Sequence, residues 1–303
     1  MNILDKFTKK PVIFQHTIGL SIKQFDIFLV NFEIAFKSMN STAGRPYSLS
    51  CRHLLTVILM YYKSYMTQEF IGLLAGIDQS NISRLLAKTR ELIEQAADPE
   101  LKTYVEKIKQ EFDQIQLKDR INDWNTFCKK HPDLKEVAID ATEQKCFRSE
   151  QNAVQKAHYS GKKKLHTRKT QITVSRSGKI LDVSASYPGS VHDKTIIDQE
   201  KTIEKFPKKT VKRLDLGYKG VPAENADHQV IIPFKKPKGK ELGPLFKQFN
   251  HRHSKARVKV ENVFAEMKSH KILKNTYRGG SESYNQDFRN VAAIVNFKQR
   301  VAA

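Results

Sequence analysis

The sequence is poor in cysteine, has no long apolar run and carries far fewer acidic than basic residues. Its three cysteines, Cys51, Cys128 and Cys146, are odd in number and widely spaced, which argues against both a disulfide scaffold and a zinc site. The longest largely apolar run, Leu54–Tyr62, is far shorter than the roughly 20 residues of a membrane span. The first residues contain no apolar stretch followed by a small-residue cleavage site. We therefore expect a protein of a reducing compartment that is not secreted.

The composition is that of a folded chain. Of its 303 residues, 39% are hydrophobic and 17 are phenylalanine. This is enough apolar material to build a core, which excludes disorder as the dominant state. The length allows one large domain or two ordinary ones.

The charge is strongly positive, since 53 Lys and Arg oppose 32 Asp and Glu and give a formal net charge of +21. A polyanion such as nucleic acid would offset this surplus, because lysines and arginines bound to phosphates release condensed counterions. The alternative is a basic protein that is merely soluble. However, residues 151–181 contain no acid, and the bases of Lys235–Lys259 are opposed only by Glu241. Basic stretches inside folded sequence favour a binding surface.

The pattern of the sequence changes near residues 130–135, from successive helices to short β-rich strings. Residues 1–48 combine a helical pattern of phenylalanines with a linker of turn formers over Ser41–Leu49. Residues 49–132 are predicted as a helical module, and residues 133–303 as a domain with helices near 193–205, 255–270 and 284–299. The five β-rich strings are VAID, TRKTQITVS, KILDVSASY, KRLDLGY and HQVIIPF. We expect an all-α part followed by an α/β or α+β part.

The helical module has the pattern of a helix-turn-helix. The first helix is predicted over Cys51–Lys63, and a short second helix begins after Thr67 as its N-cap. Gly76 breaks the second helix, and Asp78 can cap the third. The third helix has an apolar inner face, while its leading turn and outer face are polar and basic, as DNA recognition in a major groove requires. These outer residues are Gln79, Ser80, Asn81, Ser83, Arg84 and Lys88. An ordinary helical hairpin in a bundle is the alternative.

Three acidic residues are conspicuous in so basic a chain. Asp140 is predicted to end the strand that begins at Glu136, Asp215 follows a short strand, and Glu261 lies on a helical pattern. Taken singly, the aspartates could cap turns, and Glu261 could pair with Arg257 one turn away. Together, three carboxylates from two strands and a helix can converge and hold Mg²⁺ or Mn²⁺. Two such ions about 4 Å apart support in-line phosphoryl displacement.

The order of these elements resembles the ribonuclease-H-like catalytic fold, and more narrowly the DDE transposases of bacterial insertion sequences and their Harbinger-like relatives. IDATE, GSVHD, LDLGYKG and VIIPFKKPKG are similar to family strings, and NHRHSKARVKVENVFAEMK is the most specific match. Arg257, Glu261 and Lys268 keep the family spacing R-x₃-E-x₆-K. Ser254 replaces the usual tyrosine three residues before Arg257. The likeness covers about Leu49 to the last residue.

The resemblance implies a mixed five-stranded sheet in which Asp140, Asp215 and Glu261 are the catalytic residues and hold two Mg²⁺ or Mn²⁺ ions. Asp193, at a helix start, is the rival for the second acid. Gly217 is expected to shape the turn at Asp215, and Trp124 to pack the helix before the sheet. The DNA-binding set also includes Lys162, Lys163, Lys164, Arg168, Lys235, Lys236, Arg257 and Lys268. Lys268 is expected to contact the phosphate backbone, whereas Arg257 could do so or form an intrahelical ion pair.

The implied function is that of a transposase, which binds the terminal repeats of its element on double-stranded DNA and cuts and joins strands. Such a protein would act as a homodimer or larger assembly on DNA, in the cytoplasm and nucleoid of a bacterial host. One alternative is a domesticated or stand-alone metal-dependent nuclease of the same fold. A non-catalytic helix-turn-helix regulator is the alternative from another class.

Overall fold

The structure, a computed structural model, describes residues 3–39, 49–118 and 124–302. The chain divides into two compact units, one formed by Met1–Glu100 with Glu266–Ala303 and the other by Leu101–Ala265. These units do not coincide with the predicted domains 1–48, 49–132 and 133–303, because the last helix packs against N-terminal helices. Except for Leu49, the predicted linker lies outside the described residues.

Helices make up the early part of the described chain, and strands alternate with helices after it. The helices are α1 (Ile3–Thr8), α2 (Pro11–Ile18), α3 (Ile22–Met39), α4 (Cys51–Ser64), α5 (Gln68–Ala75), α6 (Gln79–Ala97), α7 (Tyr104–Lys118), α8 (Trp124–Lys130), α9 (Asn152–His158), α10 (Asp193–Glu200), α11 (Thr202–Lys205), α12 (Val221–Glu224), α13 (Pro244–Lys268), α14 (Lys271–Lys274) and α15 (Ser281–Ala302). The strands are β1 (Glu136–Lys145), β2 (Tyr159–Ser160), β3 (Leu165–Ser175), β4 (Ile180–Pro188), β5 (Val211–Arg213) and β6 (Val230–Ile231). Short 3₁₀ turns cover Pro132–Leu134 and Leu216–Tyr218.

The first unit is helical, and its last helix, α15, packs along α6. Asp287 of α15 is buried and accepts hydrogen bonds from Tyr62 Oη (2.6 Å), Arg90 Nε (2.9 Å) and Tyr277 Oη (2.5 Å). A buried carboxylate needs such partners to offset its desolvation. This network therefore fixes α15 to α4 and α6.

The connection from α5 to α6 has Thr67, Gly76 and Asp78 at the helix ends where the sequence predicts them. Thr67 accepts a hydrogen bond from the amide of Phe70 (3.3 Å) at the start of α5. Gly76 ends α5 in the left-handed region, with φ of +70°, which glycine adopts without steric cost. Asp78 occupies the predicted N-cap position of α6, but its side chain makes no cap hydrogen bond, and the amide of Asn81 bonds to the Asp78 main-chain carbonyl (3.0 Å).

The second unit is built on a mixed sheet with strand order β2-β3-β1-β5-β6, in which β4 also pairs with β3. β1 is antiparallel to β3 and parallel to β5, and β5 is parallel to β6. The described residues thus contain six strands where five were expected. The additional strand, β2, is two residues long and too short to leave a pattern in the sequence.

The core of the second unit covers one face of this sheet. Val137 and Ile139 of β1 are buried in a cluster with Phe112 of α7 and Phe127 of α8. The Trp124 ring packs edge-on against Phe112, with centroids 5.5 Å apart, which agrees with its predicted packing role. Because side chains alternate along a strand, Asp140 lies on the opposite face of the sheet from Val137 and Ile139.

Several predicted boundaries are wrong. Asp140 does not end its strand, because β1 continues to Lys145 in unbroken pairing with β3. The helix expected from about residue 255 begins at Pro244. The region 193–205 holds two helices, which break at Lys201, where φ is +49°. In the described parts of the chain, no helix is long and apolar enough to cross a bilayer.

Candidate functional site

Asp140 and Asp215 lie level with each other at one edge of the sheet. In the parallel pair of β1 and β5, Ala138 is opposite Arg213, and each aspartate lies two residues further along its chain. The side chain of Asp215 accepts a hydrogen bond from the Gly217 amide (2.8 Å) in the turn that follows β5. Gly217 therefore orients Asp215, as the sequence predicts.

Asp140 is largely buried and is held at both carboxylate oxygens. Oδ1 accepts a hydrogen bond from the Ala141 amide (2.8 Å), and Oδ2 forms an ion pair with Arg257 of α13 (2.8 Å). Burial raises the pKa of Asp140 to about 6, even though Arg257 opposes the rise. The carboxylates of Asp215 and Asp193 contribute to this rise. Ionisation of Asp140 is therefore opposed mainly by burial and also by its acidic neighbours.

Asp193 lies near Asp140 and Asp215, and we call these three residues the acidic edge. Its role is not limited to that of a helix cap. It is the first residue of α10, whose cap position is occupied by His192. Its Oδ1 pairs with the buried Lys169 of β3 at 2.9 Å. A Cβ atom on Gly217 would lie 3.5 Å from Asp193 Oδ2 and 3.0 Å from Asp215 Oδ1. The carboxylates of Asp193 and Asp215 therefore both lie next to Gly217, so the two residues are neighbours in the structure.

Tyr218 is affected by the same three aspartates. Its ring is fully buried, and its hydroxyl donates to Gln171 Oε1 (3.3 Å). Burial raises the pKa of this hydroxyl well above its usual range. The carboxylates of Asp193, Asp140 and Asp215 add to that rise, and Arg257 opposes it. All three carboxylates therefore raise the pKa of the same buried hydroxyl.

Glu261 is not brought into this cluster. Its side chain is exposed on α13, one turn after Arg257, and among the described residues no contact joins it to the aspartates. Within the described ranges, no three His, Cys, Asp or Glu side chains take an arrangement that could hold a metal ion. The positive group that meets Asp140 is instead the guanidinium of Arg257. Arg257 thus reaches across to the sheet, and the ion pair that it makes is not intrahelical.

His253 is a site residue that the sequence interpretation missed. It is buried on α13, one turn before Arg257, and its Nε2–H donates to the main-chain carbonyl of Leu214 (2.8 Å). Burial lowers the pKa of His253, so the ring is neutral. Together with Arg257, it ties α13 to β1 and to the segment that follows β5. The sequence could have indicated its role, because His253, Arg257 and Glu261 are spaced four residues apart and therefore share one face of the helix.

A family model described as "DDE superfamily endonuclease" matches residues 139–296, which is more than half of the chain. The chain belongs to the DDE superfamily endonucleases. It is also 24% identical over 290 residues to a protein of Microchaete diplosiphon described as "Probable transposase for insertion sequence element IS702", covering 96% of this chain and 95% of that protein. No solved structure matches it. The predicted resemblance to DDE transposases is confirmed at the level of the family.

The acidic edge of this DDE endonuclease has the donor atoms of a divalent-cation site, although within the described ranges its carboxylates are not arranged as a three-ligand set. Members of the family generally depend on such a metal. Three carboxylates supply hard oxygen donors, which Mg²⁺ and Mn²⁺ prefer. Because Gly217 has no Cβ atom, no side-chain atom of this residue crowds the carboxylates of Asp193 and Asp215. Burial raises the pKa of Asp140, and a cation bound there would favour the ionised carboxylate.

The predicted recognition surface of this DDE endonuclease lies on α6, in the first unit. Its inner face, Ile82, Leu85 and Leu86, is buried as expected. The proposed DNA-contacting side chains are all exposed: Gln79, Ser80, Asn81, Ser83, Arg84 and Lys88. Gln79 Nε2 donates to Gln68 of α5 (2.8 Å), and Arg84 donates to Ser80 (3.3 Å). The outer face of α6 is therefore open to a ligand.

The other predicted DNA contacts differ in exposure. Lys162, Lys163 and Lys164 are exposed in the turn between β2 and β3, and Lys235 and Lys236 are exposed after β6. Arg168 and Lys268 are partly buried. Arg257 is engaged with Asp140. The lysines of the two loops are thus the most accessible of this set.

Proposed function

We propose that this DDE endonuclease is a transposase that binds the terminal repeats of its own element and cuts and joins DNA strands by in-line phosphoryl transfer. The observation that carries the proposal is the convergence of Asp140, Asp193 and Asp215 at one sheet edge in a chain of net charge +21. An acidic site repels DNA unless a cation occupies it, and the surplus of bases attracts phosphates to its surroundings.

The catalytic unit is proposed to have the ribonuclease-H-like fold. Its elements follow the expected order, with Asp140 on β1, then β3, β4 and α10, Asp215 after β5, and Glu261 on α13 after β6. We propose Asp140 and Asp215 as metal ligands, with Asp193 beside them. Glu261 is the third proposed ligand because of its place on α13, although its side chain lies outside the aspartate cluster in this structure. Bound Mg²⁺ or Mn²⁺, as two ions, would polarise the scissile phosphate and lower the pKa of the attacking water or 3′-hydroxyl.

The remaining residues of the site position these groups. Gly217 orients Asp215 through its amide, and His253 holds Leu214 against α13. Arg257 supplies positive charge at Asp140 and carries a buried Nε–H that has no hydrogen-bond partner among the described residues. Arg257 is therefore suited to contact both the acidic edge and a phosphate oxygen.

End recognition is assigned to α5, the turn and α6, used as a helix-turn-helix. The exposed polar side chains in the first turns of α6 suit base edges and phosphates. Joining two ends requires two active sites, so we assign a homodimer or larger assembly on DNA.

The test is metal-dependent cleavage of a labelled duplex that carries the element's own end. Asp140→Asn, Asp215→Asn and Glu261→Gln should each lower cleavage by at least about 100-fold in Mg²⁺ or Mn²⁺ while end-binding persists. Asp113→Asn, an exposed acid on α7, is the matched control and should cleave normally. If Asp140→Asn and Glu261→Gln cleave as well as the parent, the assigned site is wrong.

The same assay separates the two alternatives. A nuclease would cleave but would not join the cut end to a target duplex, whereas a regulator would bind and leave the strands intact. For recognition, Arg84→Glu should weaken end-binding by about tenfold, because it reverses one phosphate-facing charge. Lys107→Glu, an exposed base on α7, provides the same change of charge elsewhere. Equal binding by the two variants would remove α6 from recognition.

A further inference from the structure

An exposed aromatic cluster lies where the loop after β6 meets the start of α13. It consists of Phe234, Phe246 and Phe249, and we call it the aromatic cluster. The Phe234 ring lies 4.5 Å from Phe246 and 5.0 Å from Phe249, centroid to centroid. Phe234 and Phe246 are each 45% exposed, and the adjacent Leu245 is 80% exposed. Large apolar side chains grouped on a surface mark a binding site more often than chance exposure does.

The cluster is held in place by hydrogen bonds. Asn250 of α13 accepts from the Phe234 amide (2.8 Å) and donates to the Phe234 carbonyl (2.9 Å), so that one side chain clamps both main-chain groups. Phe249 and Asn250 are partly buried, whereas Phe246 faces outward. The exposed rings are therefore pre-positioned, which lowers the entropy cost of binding a ligand on them.

The aromatic cluster is connected to the acidic edge by strand topology and by ring contacts. β5 and β6 are parallel, with Arg213 opposite Ile231, so the chain leaves both strands at the edge that carries Asp215. The Phe249 ring stacks near His253, with centroids 6.3 Å apart, and His253 bonds to the carbonyl of Leu214. Contacts through His253 therefore link Leu214, the residue before Asp215, to the aromatic cluster.

The charge around the cluster selects the ligand. Lys235, Lys236 and Lys238 follow Phe234 directly, are exposed, and have no ion-pair partner among the described residues. Lys247, next to Phe246, is paired with Glu241. Exposed rings surrounded by unpaired lysines match a strand whose bases stack on aromatic faces while its phosphates meet the lysines. A duplex keeps its base faces covered, so it could use only the lysines.

We propose that the aromatic cluster and Lys235, Lys236 and Lys238 bind unpaired DNA bases next to the cleavage site. This inference rests on the proposed function and specifies the form of its substrate, a DNA end with single-stranded or unstacked nucleotides. Such nucleotides arise when a strand is cut at an element end, so the cluster would hold the freed strand beside the acidic edge.

The test is binding without catalysis, in EDTA, by the full chain. The probes are a blunt duplex of the element end and the same duplex with a short single-stranded overhang that carries 2-aminopurine, whose fluorescence falls on stacking. The parent protein should quench the probe and prefer the overhang. Phe246→Ala should abolish the quenching and weaken overhang binding by about 10- to 100-fold, with blunt-duplex binding unchanged. Phe147→Ala, at a 67% exposed ring elsewhere, is the matched control.

Two further variants separate the contribution of the rings from that of the lysines. Phe246→Leu retains apolar volume without a ring and should behave like Phe246→Ala, so recovery of overhang binding by leucine would overturn stacking. The double variant Lys235→Glu/Lys236→Glu should weaken binding of both probes by a similar factor, so that the preference for the overhang over the blunt duplex is unchanged. A parent protein that binds the blunt duplex with no preference for the overhang overturns this inference alone, whereas one that binds no end DNA overturns the proposed function. Self-association that is lost in Phe246→Ala would assign the cluster to a second copy of the chain.

Discussion

Lys212 is predicted to make the protein more stable at alkaline than at neutral pH. Its side chain is fully buried in β5, three residues before Asp215. Nζ donates to the carbonyls of Pro207 (2.8 Å) and Thr210 (3.2 Å) and lies 3.2 Å from His228 Nδ1. Burial lowers the pKa of Lys212 to about 7 and also lowers that of His228. A neutral amine fits this arrangement, because its two N–H groups meet two carbonyls and its lone pair can accept from the imidazole.

The magnitude follows from the difference between the folded and unfolded pKa. An unfolded lysine titrates near pH 10.4, roughly three units above the folded value. Between these pH values the unfolded chain binds more protons, so the free energy of unfolding rises with pH, by at most about 1.4 kcal/mol per unit. Over the whole window the gain is roughly 4 kcal/mol. Below pH 7 both states are protonated, and this contribution no longer changes with pH.

The assay is urea unfolding from neutral pH to about pH 9.5 for the parent protein, Lys212→Met and Lys209→Met. Lys212→Met removes the buried amine, so the rise of stability with pH should be smaller by about 1 kcal/mol per unit than in the parent. Lys209→Met alters an exposed lysine nearby and should keep the parental slope. Equal slopes for the parent and Lys212→Met would refute the reasoning.

Three other substitutions test the positioning contacts. Gly217→Ala should lower metal-dependent cleavage on the order of tenfold, with end-binding retained, because its Cβ would lie 3.0 Å from Asp215 Oδ1; strand-cleavage assays check this. His253→Ala should destabilise the fold by about 1–3 kcal/mol in urea and reduce cleavage more than DNA affinity, since it frees a buried carbonyl. Asp287→Ala should cost about 3 kcal/mol in the same unfolding assay, because Arg90 loses its buried partner; an unchanged midpoint would contradict it.

The convergence of Asp140 and Asp215 could be predicted from the sequence, because both follow apolar β strings and parallel strands end at a common edge. The position of Asp140 within β1 could not. The strand continues past it through Thr142 and Gln144, which are polar and yet buried. Pairing with β3 extends the strand there, and a pairing partner distant in the chain leaves no mark on the local pattern.

The start of α13 was missed for a related reason. Between Pro244 and Lys255 the apolar side chains are largely exposed, so no buried stripe of period 3.6 announces a helix. The helix is held there by Asn250, which bonds to the main chain of Phe234 in another segment. The pairing of Lys169 with Asp193 was equally hidden, because 24 residues separate them and a lysine in a basic stretch looks like surface.

The charges at the acidic edge explain how one chain can be both acidic at its centre and basic outside. Asp140 and Asp193 are each matched by a cation of the protein, Arg257 and Lys169, while Asp215 is held only by an amide. Lys169 also lies 3.9 Å from Glu143, so four carboxylates face two cations. With all six groups ionised the cluster carries two net negative charges, which one divalent cation neutralises and a second reverses. The edge would then attract the phosphate that it otherwise repels. Metal binding and DNA binding should therefore be coupled, each strengthening the other by the same factor. Equal DNA affinity with and without Mg²⁺ at matched ionic strength would show that the sign reversal does not occur.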